Sequence, residues 1–274
     1  MRSILLLIIF FSLLSYKVNA QSELWGMTQL GGDFSGGVIF KTENDGENQE
    51  IVFSFNSNCG SNPQYTKLCE ASNGKLYGMT QWGGTYDMGV IFEYDIYTHK
   101  YSRLFDFDGV VSGKYPDGSL CLASNGKLYG MTSGGGVNDL GVLFEYDISS
   151  GIFMKKVDFD GTNNGANPHG SLIEASNGKL YGMTYYGGSS NKGVLFEFSP
   201  GSGTYTKKID FNGTNCGSYP YGSLAKGPGS FLYGMTSSGG QNGKGVIFYF
   251  YYTNSSYAIK VNFNGASNGS KPRG

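Results

Sequence analysis

Apolar residues along the chain fall into short runs separated by polar or glycine-rich turns, and the runs recur in one order. Residues 118–170 show the order once through. Ser119-Leu-Cys-Leu-Ala123 is an apolar run, Ser124-Asn-Gly-Lys127 a polar break, and Leu128-Tyr-Gly-Met-Thr132 a second run. Asn-Gly between two apolar runs predicts a tight hairpin, because both central residues of a type I′ turn need positive φ. Asn73-Gly74 and Asn177-Gly178 repeat the signal, and Gly229-Ser230 takes its place in the last copy. After a Gly135-Gly136 loop, residues 141–146 predict a third strand, and a polar turn over 147–151 leads to a fourth across 153–160. One unit is therefore four short antiparallel strands.

Both faces of these strands are apolar, with Leu128 and Gly130 on one side and Tyr129 and Met131 on the other. A strand apolar on both faces must be covered on both. The string Leu-(Trp/Tyr)-Gly-Met-Thr begins at Leu24, Leu76, Leu128, Leu180 and Leu232, always 52 residues apart, so one supersecondary unit has been copied. Stacking four-stranded units radially covers both faces, which predicts an all-β β-propeller of five 52-residue repeats. Residues 161–170 show no strand pattern and suit the link from the outer edge of one blade to the inner strand of the next, a span of up to ~33 Å. Gly26, Gly78, Gly130, Gly182 and Gly234 are expected where an aromatic of a neighbouring blade comes close.

The chain begins at a second strand and ends at Lys271-Pro-Arg-Gly274, which matches Tyr219-Pro-Tyr-Gly222 just before a first strand. Either the first blade lacks one strand, or the chain leads a longer array and a larger propeller. The break falls inside the recurring pattern, which favours the second reading.

The Gly-Gly pair, a strand ending Tyr146-Asp147 and an aromatic at Phe153 resemble the kelch blade, as do Tyr94-Asp95 with Tyr101. More closely, Leu-Tyr-Gly-Met-Thr, then Gly-Gly, then Gly-Val-(Ile/Leu)-Phe resembles the GloVer tandem repeat across residues 24–265. That resemblance implies a secreted bacterial surface or extracellular protein with one of several C-terminal anchors, none of which follows the repeats here. It implies no activity.

Residues 1–20 predict a secretory signal: Arg2, an apolar run over 4–14, and Val18-Asn19-Ala20 ahead of Gln21. The run is too short for a spanning helix, and no later stretch is long and apolar enough. The repeat domain is then 21–274, an extracellular or cell-surface product. A net charge of −1 without a basic cluster argues against nucleic-acid and anionic-membrane partners. Cys69 and Cys121 share one repeat position, and Cys59 and Cys216 another. Equivalent positions in stacked units lie beyond disulfide reach, so small buried hydrophobes or free thiols are expected.

Asp158-Phe-Asp160-Gly161-Thr-Asn163 looks like a calcium loop, with oxygen ligands on alternate residues before a Gly. The other copies lose carboxylates while most keep the Gly, which indicates turn chemistry, and no metal or cofactor is assigned. Catalysis needs a constellation that is not repeated. His99 and His169 fall in turns or linkers and read as exposed loop histidines, and Glu70, Glu174 and Asp117 near first strands occur in only some copies. Variation is concentrated in the loop after each Met-Thr, which presents Trp82, Tyr86, Asp87, Asn138, Asp139, Tyr185 and Tyr186. Aromatic faces stack on sugar C–H surfaces, and amides and carboxylates bond hydroxyls. The expected function is a non-catalytic binding or adhesion module whose partner is an extracellular glycan or surface protein. The alternatives are a glycan-processing enzyme with axial carboxylates and a purely structural surface repeat.

Overall fold

The computed structural model describes residues 23–273. The predicted leader, residues 1–20, lies outside them. Among the described residues every regular element is a strand, and no helix is long and apolar enough to cross a membrane. Five sheets follow one another in chain order. The first has three strands, Leu24–Thr28, Val38–Thr42 and Glu50–Ser54, as the phase of the repeat predicts. The third is typical of the rest: Cys121–Leu122, Leu128–Gly134, Val142–Asp147 and Ile152–Asp158, with the extra segment Lys114–Pro116 paired beside the second of these.

Both strand faces are buried because consecutive sheets stack face to face. Tyr129 and Met131 of the third unit pack against Leu180, Val194 and Phe196 of the fourth, while Leu128 and Phe144 face Tyr77, Met79 and Ile91 of the second. The same junction recurs between units one and two and between four and five. Short first strands of units two to five line one axial cavity of about 450 Å³. Around it the Lys67 N–H bonds Ser119 Oγ at 2.7 Å, Ser119 N–H bonds Ser171 Oγ at 2.7 Å, and Ser171 N–H bonds Ser223 Oγ at 2.8 Å. The arrangement is propeller-like.

Three local expectations need correction. The hairpin is not type I′. Gly126 has φ +79° but Asn125 does not, Gly126 N–H bonds Ala123 O, and Ala123 N–H bonds Lys127 O. That is a type I turn closed by a left-handed glycine, the three-residue loop that Asn-Gly equally suits. The strand glycines meet an aromatic of their own sheet rather than a neighbour's. Gly130 is paired with Phe144, and a Cβ there would lie 2.4 Å from its ring. Nor is the connector over 161–170 patternless, since Gly161 bridges Gly165 and Ala166 bridges Tyr186.

Candidate functional site

Each connector reaches the axis through one backbone device. Asn62, Tyr115, Asn167, Tyr219 and Lys271 hold left-handed φ between 51° and 59°, and each precedes a proline. Pro63, Pro116, Pro168, Pro220 and Pro272 each lie against a glycine of the preceding unit (Gly37, Gly89, Gly141, Gly193 and Gly245), where a Cβ would sit 2.7–3.2 Å from the proline ring. The residue that follows the proline is Gln64, Asp117, His169, Tyr221 and Arg273 in turn, and the last four are brought to one end of the axis.

These side chains meet. His169 Nδ1 lies 2.8 Å from Asp117 Oδ2, and Gln81 Nε2 donates to Asp117 Oδ1 at 2.9 Å, so the 4% exposed carboxylate has both oxygens engaged. The His169 ring stacks on Tyr221 at 4.8 Å, and the Arg273 guanidinium lies over the same Tyr221 ring at 5.3 Å. Tyr65 of the second unit meets Tyr221 edge-on at 5.8 Å. Burial, with the neighbouring Tyr65 hydroxyl, pushes the Tyr221 phenol up to about 12 and keeps it protonated.

Beside this cluster lies an open groove of about 550 Å³. Tyr115, Tyr185, Tyr186, Tyr221 and His169 supply its rings, and Lys114, Asp139, Ser133 and Asn167 its polar groups. Tyr185 is packed by Tyr186 at 4.6 Å, Tyr219 at 5.4 Å and His169 at 5.5 Å, while Tyr186 stays 41% exposed.

The loop residues singled out from the sequence divide into two groups. Tyr185, Tyr186 and Asp139 line the groove, and Trp82 backs it by packing on Tyr115 at 4.3 Å. The polar ones, Asp139 included, also brace their own loops. Asp87 Oδ1 accepts from Gly83 N–H at 2.8 Å, and Asp139 Oδ1 likewise from Gly135 N–H at 2.9 Å. Both sit at left-handed φ, 56° and 57°, where a short polar side chain is tolerated. Lys114 pairs with Asp139 at 2.8 Å, and this, with the Gly135 bond, holds its carboxyl below the usual range. Asn138 Nδ2 ties the loop to Phe159 O at 2.9 Å, and Tyr86 is exposed at the loop tip.

His169 is not the exposed loop histidine its position suggested, although His99 is exposed. The legible signal was the single repeat position that reads Gln, Asp, His, Tyr and Arg after an invariant Pro. Glu174 lies in the axial cavity, held by Ser124 N–H at 2.9 Å and Ser124 Oγ at 2.6 Å. Asp160 Oδ1 accepts from Asn163 and Asn164 N–H at 2.9 and 3.0 Å, the turn chemistry expected of that loop, and no acidic or sulfur cluster among the described residues is arranged to hold a metal. The four cysteines are unpaired; burial raises all four thiols, Cys121 to about 11.

The model of the Gloeobacter/Verrucomicrobia repeat matches residues 14–231 and 173–274. The chain belongs to that repeat family. No curated protein sequence matches it. Among solved structures it is similar to TolB from Acinetobacter baumannii, at 14% identity and TM-score 0.49, covering 85% of this chain and 54% of that one. A candidate 6-phosphogluconolactonase from Bacteroides uniformis gives 16% identity and TM-score 0.59, covering 90% and 69%. A puromycin-hydrolyzing peptidase from Mycobacterium tuberculosis gives 9% and 0.55, covering 86% and 36%. The chain thus spans about half of the TolB chain and about a third of the peptidase. At such identities the likeness concerns the fold alone.

Proposed function

We propose that this repeat protein is an exported, non-catalytic binding module that takes a glycan into the groove at one end of its axis. The observation that carries the reading is the convergence of Tyr115, Tyr185, Tyr186 and Tyr221 on one open groove of about 550 Å³, with amide, hydroxyl and ammonium groups between the rings. Stacked rings offer flat apolar faces to sugar C–H surfaces, and the polar groups between them suit hydroxyls. Membership of the repeat family supports a surface role, and the apolar run at residues 4–14 supports export.

Affinity electrophoresis through gels that each contain one polysaccharide tests the proposal. Retardation by at least one polysaccharide is expected, and Tyr185→Ala or Tyr186→Ala should weaken it by about tenfold, equivalent to ~1.4 kcal/mol. Tyr86→Ala, on the exposed loop tip, should leave it unchanged.

One observation favours a second reading, a glycan-processing enzyme. Buried Asp117 fixes His169 through Nδ1, and the other ring nitrogen has no protein partner among the described residues. An imidazole oriented by a carboxylate, with its second ring nitrogen free, has the geometry of a general acid or base. This reading requires product release from a polysaccharide and its loss in Asp117→Asn.

A further inference from the structure

Unit five departs from the repeat at several positions that come together at its junction with unit four. Lys226 stands where unit four has Glu174, Gly229-Ser230 where it has Asn177-Gly178, Phe231 where it has Lys179, and Tyr252 where it has Pro200. Lys226, Gly229, Phe231 and Tyr252 line a pocket of about 100 Å³ together with Ala175 and Ser176 of unit four, several times the space one water needs. The pocket lies by the hairpin turn before Phe231–Thr236, at the opposite end of that strand from the loop after Met-Thr, and so apart from the groove.

The preceding junction shows what such a place holds. There Glu174 reaches across to Ser124, and its two oxygens accept from Ser124 N–H at 2.9 Å and from Ser124 Oγ at 2.6 Å. Ser176 repeats Ser124 one unit on, but the residue in the place of Glu174 is Lys226, and no carboxylate lines the pocket. Ser176 Oγ lies instead 2.6 Å from Tyr252 Oη. Ser176, Ser230 and the Lys226 ammonium all favour negative charge at that oxygen and hold the phenol below its ordinary value. An N–H and an ammonium only donate, so with two hydroxyls the pocket offers more donors than acceptors. Ala175 and Leu232, 4% and 0% exposed, and the Phe231 ring add an apolar wall beside them.

We infer that this pocket binds a small organic carboxylate. Ser176 N–H and Oγ take its oxygens as Ser124 takes those of Glu174, the Lys226 ammonium supplies the countercharge, and the Tyr252 hydroxyl is a further donor. Hydrogen bonds to an ionised acceptor are the stronger class. The carbon end of the acid rests on Ala175, Leu232 and Phe231. A free short-chain acid and the acid group of a uronic acid offer the same chemistry here.

Titration of the chain, its tyrosine rings ¹³C-labelled, with sodium acetate replacing sodium chloride at constant ionic strength tests the inference by NMR. The Tyr252 resonances, assigned from Tyr252→Phe, should shift and saturate. Those of Tyr185 and Tyr186 should stay in place, so the result does not depend on what the groove binds. Lys226→Glu rebuilds the arrangement seen at Glu174 and should weaken acetate binding about tenfold or more. Lys226→Met repeats the test should that variant fail to fold. Sodium glucuronate separates the two sources: tighter binding than acetate identifies an acidic sugar, weaker binding a free acid. Tyr252 resonances that do not respond to acetate overturn the inference. So does a response that is unchanged in the Lys226 variants.

Discussion

Glu145 is 2% exposed, yet it stands ionised among Lys127 Nζ at 2.7 Å, Lys156 Nζ at 3.0 Å and the Tyr129 hydroxyl at 2.8 Å. Burial alone would raise its pKa, but these three partners outweigh it and hold the carboxyl below its ordinary value. Glu197 is held the same way in the next unit. A depressed carboxylate stabilises the fold above its unfolded pKa, and that contribution is lost as pH falls through the folded one. Stability to urea should therefore decline below about pH 4.5. Glu145→Gln should flatten that decline and cost about 1.5–3 kcal/mol at pH 7, the worth of hydrogen bonds to a charged group. Gly130 makes a second residue-scale prediction. A Cβ 2.4 Å from the Phe144 ring must displace it, so Gly130→Ala should destabilise by about 1–3 kcal/mol, and Phe144→Leu in the same chain should recover part of the loss. That these glycines face an aromatic was legible from their recurrence. Which sheet supplies the ring was not, because it depends on the register of Gly130 against Phe144.

At the scale of the element, one bond repeats in every unit. Asp158 Oδ1 accepts from Val137 N–H at 2.9 Å, and Asp106, Asp210, Asn262 and Ser54 occupy the same place for Thr85, Gln241 and their counterparts. It ties the loop after Met-Thr to the end of the fourth strand, which explains how a loop of variable residues keeps one shape. Asp158→Ala should speed amide exchange at Val137 and lower stability by about 1–3 kcal/mol, the cost of leaving a donor unmatched. Strand order was readable along the chain because short apolar runs between turn signals recur in every copy. The turn type was not, since Asn-Gly suits both a two-residue and a three-residue loop and only the bonds around Ala123 decide between them. The roles of Asp87, Asn138 and Asp139 were missed for a related reason. Each is a polar residue in a loop, and nothing in the composition says whether such a group faces a ligand or its own backbone.

On the scale of the whole molecule, stacking brings together residues that are whole repeats apart. Asp117 and His169 are 52 residues apart in sequence and 2.8 Å apart in space. The chain's periodicity carried the fold, because each unit needs a neighbour on either face. It concealed the axial cluster, because residues one repeat apart read as equivalent copies rather than as partners. Tyr185 and Tyr186 were legible as site candidates by being large aromatics in a variable loop, whereas Tyr115, Tyr221 and His169 become groove residues only when the connectors meet at the axis. The central claim is that this meeting point binds. The most direct test is a titration of the chain, with its tyrosine rings ¹³C-labelled, by the oligosaccharide repeat of whichever polysaccharide retards it most, followed by aromatic NMR. Resonances of Tyr115, Tyr185, Tyr186 and Tyr221 should shift together and saturate at one concentration, while Tyr86 and Tyr97 on exposed turns stay in place. Shifts confined to those exposed tyrosines, with the groove resonances unmoved, would contradict the account.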